Sequence, residues 1–485
     1  MGGPIGPPTP AALERSAVTT HAVVLGGGLA GMLAAAVLAR HVDAVTVVDR
    51  DKLPDGPEFR KGVPQARHAH LLMSGGARVI ERLLPGVTDR LLAEGAHRIG
   101  VPEQVVWLTA YGWQHRFPQT QFIISAGRPM LDWVVRDEVL RRHPHVATMP
   151  STEALGPLGD ANRIAGVRVR GAGTGETVDL EADLVVDATG RGSQLKRWLS
   201  ALGLPPVEQD TVDAGIAYAT RIFRAPEGAR AFPLVNVLAD HRVPRPGRNA
   251  SLAPIEDGRW IVTLSGTRGA EPPTDEDGFA EFARSMRDPL IADLIAVAEP
   301  LTAVQGSRSS ANRRLYYERL PAWPEGLVAL GDAVAAFNPV YGHGMSVAAH
   351  SAAALDEGLA EAGLTAGATG RIQRAVGARA DDAWLLAASQ DLCYPNCRAE
   401  VNDPRLSPGV QAQRRSFSDL IGATALRDPA VSAAATKVTT LSEPISSLES
   451  PQVVTALRRA KGRPALSAPP LSDDERAVLR VGEPA

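Results

Sequence analysis

Cysteine is nearly absent from this 485-residue chain, with two in all. That excludes a disulfide-dense secreted scaffold and a zinc ribbon. Lysine is scarce as well: five lysines stand among 51 basic residues, which are balanced by 54 acidic ones for a net charge of −3. No basic field exists to attract nucleic acid or anionic lipid, and no acidic tail is present. Aromatic residues are only 5% of the chain, too few for a base-stacking platform. With 44% hydrophobic and 22% charged residues, the composition is that of a folded protein with a sizeable core. Only the first 19 residues, rich in proline and glycine, read as a disordered tail.

One long apolar run is present. Ala22 to Ala39 is eighteen residues without a charge. By length alone it qualifies as a membrane span or a signal-peptide core. Gly26, Gly27 and Gly28 interrupt it, however, and no basic segment precedes it. The run divides into a short strand, His21–Leu25, and an Ala/Leu-rich helix from Leu29 to Ala39, apolar on all sides and therefore buried. No other segment approaches spanning length, so the expectation is a cytoplasmic protein without stable membrane insertion.

The divided reading yields strand, Gly26-x-Gly28-x-x-Gly31, helix, and a second strand Ala44–Val48 ending in Asp49. Asp49 follows Gly31 by 18 residues, where a ribose-binding carboxylate belongs in a dinucleotide fold. Gly26 permits the tight turn, Gly28 lets backbone approach a pyrophosphate, and Gly31 lets helix pack on strand. The helix start at Leu29 and Ala30 offers free amides to phosphates. Asp49 disfavours NADP, whose 2′-phosphate would meet a carboxylate, and leaves NAD and FAD.

Two later segments decide between them. In ADLVVDATGRGS, residues 182–193, a buried strand runs into Thr189-Gly190, and Ser193 caps a following helix. In LVALGDAVAAFNPVYGHGMSVAAHS, residues 327–351, a strand ends at Gly331-Asp332, and Asn338-Pro339 and Gly342-His343-Gly344 open a small-residue helix near Met345. Asp332 suits a polyol such as ribityl. Amides near Gly344 and Met345 suit the pyrimidine edge of a flavin, where charge accumulates on reduction. A simple NAD dehydrogenase has no need of this second constellation.

These segments, in this order, resemble the FAD-binding elements of single-component flavoprotein monooxygenases of the aromatic-hydroxylase type. Arg128, before Pro129-Met130-Leu131, resembles that family's helix-start arginine. The stretches RKGVPQARHAHLLMSGG (60–76), GWQHRFPQTQF (112–122) and GDAVAAFNPVYGHGMS (331–346) are similar to epoxidases of polyether-ionophore polyketide pathways, of the monensin and lasalocid type. The resemblance implies an α/β fold, α+β overall. A Rossmann-like FAD domain (20–73, 126–200, 315–365) would be interleaved with an antiparallel substrate domain (74–125, 201–314). A helical C-terminal region (366–485) would follow.

It further implies transfer of one atom of molecular oxygen, activated on the flavin, to alkenes of a hydrophobic linear polyene in antibiotic biosynthesis. Gly26, Gly28, Leu29, Ala30, Gly31, Asp49, Arg50, Arg67, Arg128, Gly190, Asp332, Gly342, Gly344 and Met345 would bind FAD. Pro339, Gly342, Gly344 and Met345 would shape the reacting centre, and Trp113, Phe117 and Phe122 are candidates for the substrate pocket. Where the aromatic hydroxylases carry Asp-Gly, this chain has Thr189-Gly190. The reductant therefore stays open between NADPH and NADH, acting directly or through a flavin reductase.

The remaining signals are weaker. His68 and His70 would share one face of a strand, but two imidazoles without a third ligand do not make a metal site. Cys393 and Cys397 read as inert thiols. None of the seven tryptophans lie two apart, so the Trp-x-Trp-x-Ile-Pro signature of flavin-dependent tryptophan halogenases is missing. The competing readings are an FAD-dependent reductase or dehydrogenase of prenyl or polyene chains and a catalytically silent flavoprotein or lipid-binding module.

Overall fold

A computed structural model describes residues 19–480 apart from 174, 309–310 and 460–461. All but the last residue of the expected tail thus lies outside the described residues. Five parallel strands organise the first layer: β1 (His21–Leu25), β2 (Ala44–Val48), β3 (Val146–Met149), β4 (Leu184–Asp187) and β5 (Leu327–Ala329), in the order β5-β4-β1-β2-β3. Strands at the centre of such a sheet are buried on both faces, which is why β1 and β4 are nearly continuous Val, Leu and Ala. Helix α1 (Leu29–Leu38) follows β1 and is buried at nine of its ten positions. The eighteen-residue apolar run is therefore a strand and a core helix, and no described helix is long and apolar enough to cross a membrane.

The register of this sheet determines what meets at its edge. Leu25 pairs with Asp187, and Asp187 with Ala329. The chain leaving β1, β4 and β5 therefore emerges side by side at the carboxyl ends of parallel strands, where open α/β sheets bind ligands. Helix α2 (Arg128–Arg142) and helix α3 (Gly344–Ala362) pack against α1.

A second, eight-stranded sheet centres on Ala217–Arg224, Arg259–Gly266, Arg248–Ile255 and Leu234–Val237, which are antiparallel neighbours. Its next strand, Val105–Thr109, joins Leu234–Val237 in parallel, a pairing that the expected antiparallel sheet did not include. The chain beyond α3 is mostly helical, beginning with α4 (Ala368–Asp391). It also adds a strand, Arg398–Glu400, beside Gln209–Asp213. At its end Ser472 and Glu475 form a reciprocal cap: the Ser472 amide donates to Glu475 Oε2 at 2.8 Å, and the Glu475 amide to Ser472 Oγ at 3.2 Å.

Candidate active site

The glycine turn after β1 is fixed by backbone contacts that side chains would destroy. Gly26, at φ +99°, donates its amide to the Val48 carbonyl at 2.7 Å. A Cβ on Gly31 would lie 1.7 Å from the Gly26 carbonyl oxygen, so α1 can pack on β1 only through glycine. Beyond β2, Asp49 accepts the Gly27 amide at 2.6 Å and the Asp51 amide at 2.8 Å. Arg60 adds an ion pair to the same carboxylate at 3.2 Å. Asp49 thus ties the two β-strand ends together, and its carboxylate has further acceptor positions for ribose hydroxyls. Arg60 is buried, its Nε has no partner, and its Nη2 stands 3.6 Å from where a Gly28 side chain would begin. That places an incompletely satisfied cation over the turn. Helix α1 starts at Gly28 with no side-chain cap and no acid in its first turn. Its amides and positive dipole end are left for an anion.

The chain leaving β4 and β5 completes the cleft. Asp187, fully buried, accepts from the Thr189 amide at 2.9 Å, the Thr189 hydroxyl at 2.5 Å and the Ser193 hydroxyl at 2.5 Å. These bonds hold the turn that brings Gly190 (φ +73°) opposite Asp332. Positions where Gly190 and Gly344 would carry a Cβ lie 3.8 Å and 3.7 Å from Asp332 and meet no other heavy atom within 4 Å. Three glycines, 28, 190 and 344, thus leave open the space that side chains would fill. The Asp332 side chain is one-third exposed on the floor of this cleft. Burial raises its carboxyl above the usual range, opposed by Arg191, Arg128 and Arg313. Arg191 stands 3.9 Å from it and is itself held by the Ala311 and Phe337 carbonyls. Arg128 heads α2 and pairs with Asp132 at 2.8 Å. An open glycine-lined cleft with a free helix start, flanking arginines and a carboxylate at one side fits a dinucleotide that ends in a polyol and a ring.

The loop between Asn338 and α3 closes one end. Pro339–Tyr341 forms a 3-10 turn, and Gly342 adopts φ +68° to reverse the chain. His343, buried, sits at the N-cap of α3, also without a side-chain cap bond, and Met345 is buried behind it. The eight-stranded sheet reaches this loop through Tyr218, whose hydroxyl accepts the Val340 amide at 3.2 Å. Desolvation pushes His343 down to about 4, His68 to about 4 and His70 to about 3, so all three imidazoles are neutral at physiological pH. His68 bonds Thr220 at 2.8 Å through Nδ1, and His70 Nδ1 donates to the His68 carbonyl at 2.8 Å. The Nδ1 of His68 and that of His70 are thereby committed to the protein itself. Burial likewise pushes the Cys397 thiol up to about 12.

The remaining candidates are dispersed. Arg50 is exposed, and Arg67 is exposed with its guanidinium 4.9 Å over the Phe59 ring. Trp113 and Phe117 are buried, Trp113 in a cluster with residues of the second sheet and Leu471, so both pack in the interior. The guanidinium groups of Arg78 and Arg98 stand 5.3 Å and 4.2 Å from the centre of the Phe122 ring. The sequence reading did not single out Arg60, Arg191 or Asp391. One arginine among 46 carries no local signature. The spacing of Asp391 relates it to no motif.

The chain belongs to the family of FAD dependent oxidoreductases, whose pattern it matches over residues 22–197. Among individual relatives, Protein Rv3254 of Mycobacterium tuberculosis is 32% identical over 395 residues, covering 78% of this chain and 82% of that protein. The fold is also that of a flavin-dependent brominase, Bmp2 (TM-score 0.62, 15% identity, 91% of this chain and 98% of that one). It is shared with PqsL of Pseudomonas aeruginosa, described as a probable FAD-dependent monooxygenase (TM-score 0.55, 18% identity, 77% and 94%). The halogenase CmlS has it too (TM-score 0.60, 17% identity, 88% and 78%).

Proposed function

We propose that the protein is an FAD-dependent monooxygenase that epoxidises alkenes of a linear polyene polyketide. The observation that carries the flavin part is the register of the parallel sheet, which delivers Gly28, Gly190, Asp332 and Gly344 to one open cleft. In it the α1 start would hold the diphosphate, with Arg60 nearby. Asp332 would accept from ribityl hydroxyls, and the Gly344 and Met345 amides would face the flavin ring. Bound FAD supplies the redox chemistry and the activation of molecular oxygen.

The protein's own task is then to align the alkene and exclude water. The neutral His68, His70 and His343 suit that task better than acid–base hydrolysis. The apolar cluster of Ala214, Ile216, Tyr218, Ala239 and Tyr394, with Val340 packed against it, lies where sheet meets loop. NADPH or NADH is the proposed electron source, directly or through a flavin reductase.

The test is mass spectrometry of a linear polyene incubated with the FAD-loaded protein, NADPH or NADH, and bromide. Gain of one oxygen per consumed double bond, with hydrogen unchanged, supports epoxidation. A product altered only in hydrogen count would identify a reductase or dehydrogenase instead, and a brominated product would identify a halogenase.

A further inference from the structure

Away from the cleft, at the last residue of α4, a carboxylate is sealed inside the protein. Asp391 is wholly buried. Three side chains donate to it: Asn312 through Nδ2 at 2.7 Å, Asn338 through Nδ2, and Tyr341 through its hydroxyl. Asn312 and Asn338 are wholly buried as well, and the Asn338 amide donates to Asn312 Oδ1 at 2.7 Å. A carboxyl group, with its several lone pairs, is the natural partner for three converging donors. Each donor would otherwise be left unpaired in the interior, at a cost beyond that of the lost bond.

The origin of the donors matters more than their number. Asn338 and Tyr341 bracket Pro339 and Val340, the segment that closes the cleft. Asn312 lies on the strand Asn312–Leu315, which pairs with Ala335–Ala336 just before the loop. The Tyr341 ring stacks on His343, the N-cap of α3, with centroids 6.2 Å apart. From the other side, Tyr218 holds Val340. The loop is thus suspended between the second sheet and one carboxylate of the C-terminal helices. Among the described residues no arginine or lysine forms an ion pair with Asp391.

We propose that Asp391 is a positioning residue of the oxidation centre, setting the conformation of the 338–344 loop and through it the surroundings of the flavin ring. This rests on the flavin assignment above. The experiment compares Asp391→Leu, which removes every acceptor while keeping the branched heavy-atom framework, with Asp391→Asn, which keeps an acceptor oxygen.

In the FAD-free protein, chymotryptic cleavage at Tyr341 should accelerate several-fold in Asp391→Leu and stay near the wild-type rate in Asp391→Asn. With FAD bound at equal occupancy, the visible absorption bands and midpoint potential of the flavin should shift in Asp391→Leu and return toward wild type in Asp391→Asn. A folded Asp391→Leu protein with wild-type cleavage and an unchanged flavin spectrum and potential overturns the proposal. Should Asp391→Leu not fold, Tyr341→Phe removes a single donor: a shifted spectrum supports the proposal, and an unchanged one refutes it. If the wild-type protein takes up no FAD, the flavin assignment fails, and the cleavage comparison still decides whether Asp391 holds the loop.

Discussion

Asp332 and Gly31 act in opposite ways at the residue scale, one by what its side chain offers and the other by having none. Removing a charged acceptor that meets ligand hydroxyls costs about 1.5–3 kcal/mol, roughly ten-fold or more in affinity. Asp332→Ala should therefore lose most of its flavin on gel filtration, measured as the ratio of visible to ultraviolet absorbance, while staying folded. Gly31→Ala should fail earlier. Its Cβ would overlap the Gly26 carbonyl at 1.7 Å, and backbone cannot yield as a flexible side chain does. We expect a loss of about 3 kcal/mol or more, read by thermal or urea unfolding, with little soluble protein. Such glycines were legible in the sequence because the constraint acts on the local backbone and repeats at fixed spacing. Arg60 and Arg191 were not, because an arginine acquires its role from what the fold brings to it.

Elements were legible to the extent that their own residues determine them. Strand β1, helix α1 and the Ser472–Glu475 cap follow from apolar pattern and capping chemistry. The parallel pairing of Val105–Thr109 with Leu234–Val237 does not, since a strand's partner is not written in the strand. Ser472→Ala should loosen the final helix, Asp473–Arg480, by about 1 kcal/mol. Faster amide exchange there, with little change in the global unfolding midpoint, would be the signature.

Helix α4 carries a pH dependence. Burial raises the Asp391 carboxyl to about 7, against donors that lower it and a nearby Asp213 that raises it. Between about pH 4 and 7 the folded state keeps a proton that the unfolded chain has released. This group's stabilising contribution is therefore full below the ordinary carboxylate range and is lost as pH rises through about 7. The stability of wild type relative to Asp391→Asn should fall across that window, as measured by urea unfolding at several pH values. A difference that is flat with pH would mean that the carboxyl ionises normally.

For the whole molecule, the decisive fact is that three motifs far apart in sequence are neighbours in one sheet. Leu25, Asp187 and Ala329 stand in register, and the turns that follow them frame a single cleft. The order and composition of the motifs made that convergence legible. The way the C-terminal helices brace the cleft through Asp391 was not, because that contact joins the end of α4 to a loop some fifty residues earlier. The near-neutral charge and the neutral histidines are what the proposed oxidation of an uncharged chain calls for. The most direct test is to supply the reduced, FAD-loaded protein with a linear polyene under isotopically labelled dioxygen and to weigh the product. Each new oxygen should carry the label, one per double bond consumed. New oxygen drawn from water, or loss of the double bonds without oxygen gain, would contradict the account.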